Sequence, residues 1–220
     1  METKNDIFFS PMKMTLITWA VISFDAIAAI PSINQIAAMA LSLLVWLLGA
    51  AGILHIIRKQ NSQLSYYKNS PLTSTDYMTL FFILTGGISI AAGNYFYGGL
   101  SPLFVREFLN GYLLYTIRNL LYYPAEVLLM LELLICAQKS GELMTQTRHV
   151  SPADLEKQKS QLPWGAFALF VMWGLPHIFY HGPVDGMISA LRAFIYCIPF
   201  YTSGKNIKTS YISMLILWLL

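Results

Sequence analysis

Charge is what this sequence has least of. Of 220 residues, 14 are Lys or Arg and 11 are Asp or Glu, a charged share of 11%, against about 25% in an ordinary soluble chain. That is too little to clothe a soluble surface. The formal net charge is +3, but the basic residues sit in short connections between apolar runs, so the charge is no sign of nucleic-acid binding. Cysteine is equally scarce. Cys136 and Cys197 both lie in apolar context, and no CxxC or Cys/His spacing appears, so they read as buried thiols, with no metal site or cofactor implied. Glycine-rich phosphate loops and a serine nucleophile elbow are missing, and Ser189 is the only serine near the histidines. There is no internal repeat or low-complexity segment. The opening METKNDIFFSPMK lacks a basic region and a small-residue cleavage site, so the first apolar run is expected to be retained.

What is present is apolar. Hydrophobic residues make up 56% of the chain and the mean hydropathy is +0.55. The expectation is an all-α polytopic transmembrane helix bundle of about seven membrane segments (roughly six to eight by length), forming a single integral membrane domain over residues 1–220. The segments run from Met14 to Ile30, Ile33 to Ile57, Tyr77 to Tyr97, Phe108 to Ala137, Pro163 to Tyr180, Gly186 to Tyr201 and Ile207 to Leu220. The fourth, at 108–137, would rise ~45 Å as one helix, more than the ~30 Å hydrocarbon layer. Pro124 therefore kinks or divides it. The seventh would rise only ~21 Å, either a tilted span or an incomplete one. Residues Gln138 to Leu162 read as the longest polar connection.

Charges in the connections form a ladder. Arg58, Lys59 and Lys68 follow the second segment, Lys139, Arg148, Lys157 and Lys159 the fourth, and Lys205 and Lys208 the sixth, whereas the opposite connections carry only Arg106. By the positive-inside rule this predicts a multi-pass protein of the cell membrane, in contact with membrane lipids, its N-terminus cytoplasmic.

Polar groups inside apolar runs are the functional candidates, because each needs a partner or a purpose in lipid. Glu126, in YYPAEVLLMLELL, reads either as a reactive carboxyl in a dry site or as half of an ion pair with Arg118. Eight residues at 100° each leave these two about 80° apart, so they meet only if the helix bends. Glu132 lies near the opposite face. His177, in PWGAFALFVMWGLPHIFYHGP, shares a helical face with Trp173 and His181 at four-residue spacing. That spacing alone is a weak metal signal, and no adjoining glutamate completes a zinc motif. Asp25 either closes a site or pairs with Arg192, which can also snorkel to the interface. Asn94 either orients a reacting group or bonds between helices.

Glu126, the WGLPH of residues 173–177 and the ending YTSGKNIKTSYISMLILWLL together resemble the CPBP intramembrane protease family, the group of CAAX proteases and bacteriocin-processing or abortive-infection proteins. The resemblance covers residues 120–220. It implies a metal-independent endopeptidase in which Glu126 activates a water held with His177, cutting a peptide or a prenylated or bacteriocin-type substrate. The chain departs from the family pattern in three places. Ala125 precedes Glu126 where the motif EExxxR has a second glutamate, Met130 takes the arginine position, and Met214 or a neighbour stands where the last helix has a histidine. The chain is then either inactive or draws on other groups such as Glu142, His181 or Asn94. Three readings stay open: an intramembrane peptidase, a protease-like protein that binds a peptide or partner without cutting it, and a small-molecule or ion transporter.

Overall fold

The structure is a computed structural model that describes residues 10–24, 26, 35–64, 66–68, 71–72, 76–77, 80–81, 83–84, 113–146 and 162–219. Every regular element among them is helical: α1 Pro11–Ile22, α2 Gln35–Leu64, α3 Leu113–Gln146, α4 Trp164–Leu169, a π-helical turn Phe170–Gly174, α5 His177–His181, α6 Pro183–Thr202 and α7 Ile207–Leu219. Lys68 and Asn206 add an isolated parallel bridge. Among the described residues two helices are long and apolar enough to cross a membrane, over Ala37–Asn61 and Leu120–Thr145. The first has 28% of its apolar window buried and the second 67%, so α2 offers its surface outward while α3 is an inner helix. The third expected segment falls largely outside the described residues.

Two boundaries differ from the sequence reading. Residues 138–146 are helical rather than part of a polar connection, because α3 continues to Gln146. Its polar end is stabilised by its own side chains and by α4, as shown below. Pro124 lies inside α3 without dividing it, which selects the single-helix alternative. The fifth segment, by contrast, is interrupted. Pro176 has no N–H to continue the ladder, and the chain widens into the π turn, with Leu175 N–H bonding Phe170 O at 2.8 Å, before α5 restarts at His177.

The chain divides into two compact units, Met1–Tyr66 with Leu129–Cys197, and Tyr67–Leu128 with Ile198–Leu220. In the first, α1 and α2 pack closely enough that a side chain at Gly49 would meet Val21. Small residues bring the other helices equally near. A Cβ at Gly165 would lie 2.5 Å from the Leu134 carbonyl oxygen, and one at Gly174 would lie 2.6 Å from the Ala190 Cα. Phe194 of α6 stacks on Phe170, with ring centroids 5.1 Å apart.

The start of α4 needs outside help, since its N-cap is Pro163, which makes no side-chain cap bond. Gln138 of α3 supplies it. Gly165 N–H donates to Gln138 Oε1 at 3.1 Å, while Gln138 Nε2 donates to the Leu162 carbonyl at 3.2 Å and to Glu142 Oε1 at 3.0 Å. One amide thus satisfies both polarities of the incoming chain.

In the second unit, Asn206 caps α7: Lys208 N–H donates to Asn206 Oδ1 at 3.1 Å, the geometry expected of an N-cap asparagine. The turn before it uses left-handed backbone at Gly204 (φ 62°) and Lys205 (φ 67°). Lys68 N–H bonds the Lys205 carbonyl at 2.9 Å, and Thr209 donates to the buried Asp76 carboxylate at 2.8 Å.

Gln138→Ala should lower stability by about 1–3 kcal/mol, because it strands the buried Gly165 N–H. Gly165→Ala should cost a similar amount by forcing the helices apart. Equilibrium unfolding in mixed micelles checks both, and an unchanged midpoint for Gln138→Ala would contradict the capping role.

Candidate functional site

The break around Pro176 is the most distinctive local geometry in the first unit. Proline's missing N–H leaves the carbonyl four residues back, that of Met172, without its helical donor. Trp19 of α1 fills the gap, its indole N–H donating to Met172 O at 3.0 Å. The next carbonyl, that of Trp173, lies 2.8 Å from His177 Nδ1. A carbonyl oxygen only accepts, so Nδ1 carries a proton, and in the neutral ring the lone pair lies on Nε2. The His177 ring also packs against the Trp173 indole, centroids 4.5 Å apart, and Trp173 meets Tyr196 of α6 edge-on at 6.0 Å. His177 is therefore half-buried, with its tautomer and orientation set by its own helix turn. The expected shared face of Trp173 and His177 is present. His181 continues α5, but its side chain is outside the described residues.

Glu126 is buried on α3, within the second unit, whereas His177 belongs to the first. Around that part of α3, Tyr211 of α7 donates to the Pro124 carbonyl at 3.1 Å, and Tyr123 packs edge-on against Trp218 at 5.8 Å. These contacts hold α7 along the helix turn that carries Glu126.

The two other carboxyls of α3 have opposite surroundings. Glu142 is tied down by Gln138 and by Lys139, whose Nζ is 3.8 Å from Glu142 Oε2. Those contacts make it part of the α3–α4 junction. Glu132 is fully buried, and among the described residues neither of its oxygens has a hydrogen-bond partner. Arg192 lies exposed on α6. Asp25 and Asn94 are outside the described residues, as are the side chains of Arg118 and Asn119. Cys136 and Cys197 are free and buried. Among the described residues no group of three metal-ligating side chains occurs.

Sequence reasoning missed Gln138, Trp19 and Tyr66. The first two act by reaching across to backbone groups of distant segments, and no local pattern marks that. Tyr66 donates to Gln60 Oε1 at 3.2 Å, and burial, followed by the nearby Cys136, pushes its phenol well above the ordinary range. Asn206 was legible as a cap in KNIKTS, an asparagine directly before an apolar helix.

The chain matches no protein-family model, no curated protein and no solved structure.

Trp19→Phe keeps the ring and removes the donor to Met172. It should destabilise the first unit by about 1–2 kcal/mol, read as a shift in the unfolding midpoint. In Pro176→Ala the restored N–H competes for the Met172 carbonyl, so the cost of Trp19→Phe should shrink in that background, as a double-mutant cycle would show.

Proposed function

We propose that this chain is a multi-pass protein of the cell membrane, with about seven segments and a cytoplasmic N-terminus, and that it acts as an intramembrane peptidase. In this reading, which rests on the resemblance, Glu126 acts as a general base toward water and His177 offers the lone pair of Nε2 as an acceptor. The attacked group is the scissile carbonyl of a peptide or lipidated peptide, reached within the membrane. The observation that carries this reading is the seating of His177. Its Nδ1 is committed to the Trp173 carbonyl at 2.8 Å, so the nitrogen bearing the lone pair is set in advance, as a group that must hold a water requires. The burial of Glu126, on the more buried of the two long apolar helices described, supports it further, since a dry setting strengthens every charge interaction at a reacting carbonyl.

A second reading has its own support. Met130 and Met214, which stand at or near positions where the resembled family has an arginine and a histidine, are both buried, at 0% and 1% exposure. Apolar thioethers packed there favour a protein that retains the fold and binds a peptide or partner without cutting it.

The test uses the full chain in liposomes with a library of membrane peptides, some of them prenylated. Cleavage by the wild type should fall by roughly 100-fold or more in Glu126→Gln and in His177→Ala proteins of matched stability. Equal turnover by all three, or cleavage by none, overturns the peptidase reading, and peptide binding without cleavage establishes the second. For the topology, a cysteine replacing Lys157 should be labelled only from the cytoplasmic side and one replacing Arg106 only from outside.

A further inference from the structure

Helix α2 has two faces that differ in what they meet. Ser42, Trp46, Ala50, Ile53, Ile57 and Gln60 recur every three or four residues and are all buried, which marks one face as packed. On the opposite side, about 180° away at 100° per residue, Leu41, Leu44 and Leu48 are exposed, Leu48 at 66%. This outward face continues through Ala51 and Gly52, where a Cβ added to Gly52 would meet nothing within 4 Å. It ends in His55, Arg58 and Lys59, all exposed. Among the described residues none of these three side chains makes a hydrogen bond or an ion pair. The helix carries no Asp or Glu.

The lengths match a lipid. The run from Ile36 to Leu54 rises ~28 Å as a helix, close to the ~30 Å hydrocarbon layer. His55 then stands where the headgroups begin, with Arg58 and Lys59 about one turn further out. A phosphate at that level would meet two cations, one of them a guanidinium that can hold two of its oxygens at once. The face therefore fits an amphiphile with an apolar tail and an anionic head. A zwitterionic choline head would bring a cation of its own, which nothing acidic on α2 would balance. A second copy of the chain fits poorly, because copies inserted the same way would set their Arg58 and Lys59 side by side at one depth.

We propose that this face of α2 seats an anionic phospholipid, its acyl chain along Leu41, Leu44 and Leu48 and its phosphate at Arg58 and Lys59. The inference rests on α2 crossing the membrane and not on the peptidase reading.

Native mass spectrometry of the full chain in mild detergent tests this, with phosphatidylglycerol and phosphatidylcholine of identical acyl chains as probes. The wild type should bind phosphatidylglycerol about fivefold more tightly, or better. Arg58→Gln and Lys59→Gln should each remove most of that preference, whereas Lys208→Gln, at an exposed lysine on α7, should keep it. No preference in the wild type overturns the site. So does an equal loss in Lys208→Gln, which would make the preference a property of basic charge in general. Glycerol phosphate without acyl chains should leave the lipid in place. Its displacing the lipid at equal concentration, or a dimer forming instead of the lipid complex, overturns the amphiphile as occupant. Alkaline carbonate washing of membranes separates the two kinds of failure. A chain that washes out refutes the membrane reading as well, whereas one that stays embedded and shows no preference refutes the lipid site alone.

Discussion

In an apolar setting a carbonyl that loses its donor cannot turn to water, and Pro176 takes the donor from Met172. The geometry of the fifth apolar segment answers to that loss. The backbone widens into a π turn at Phe170–Gly174, Trp19 reaches over from α1 to the stranded carbonyl, and the His177 ring turns back onto the next one. Gly174 lets the distorted turn press against Ala190 of α6. A proline that looks like an interruption in an apolar run thus fixes how α1 engages this segment and how a histidine is held.

The inner helix α3 shows the same constraint applied to side chains. Glu132 and Glu142 lie ten residues apart, on an apolar helix long enough to span a membrane. Glu142 sits where the helix meets the incoming α4 segment and gains an amide and an ammonium partner. Glu132 sits deeper, among residues that offer neither. The chemical type is the same and the consequences differ, because a carboxyl's role in a buried setting depends on the donors its neighbours bring. Gln138, between them, shows how one amide can organise a junction when the arriving chain begins with a proline that cannot cap its own helix.

The peptidase reading joins a resemblance carried by short motifs to one feature of geometry, the committed Nδ1 of His177. The departures from the family pattern and that feature pull in opposite directions. Met130 and Met214 remove polar groups such chemistry would use, while the His177 seat keeps the orientation it would need.

Much of the fold was legible in advance. The apolar content, the scarcity of charge and the spacing of Pro and Gly mark helices over most of α1, α2, α3, α6 and α7. Periodicity alone also placed Trp173 beside His177, since four-residue spacing survives the local distortion. The site's finer features were not legible. Whether Pro124 divides its helix, whether residues 138–146 coil or continue, which carbonyl Trp19 serves and which of three glutamates is left without a partner all depend on what arrives from elsewhere in the chain. Hydrophobic patterning is a property of neighbours in sequence and so determines which segments leave water. Hydrogen bonds to stranded backbone groups join residues such as Trp19 and Met172, which no local pattern relates, and only the packed structure decides them.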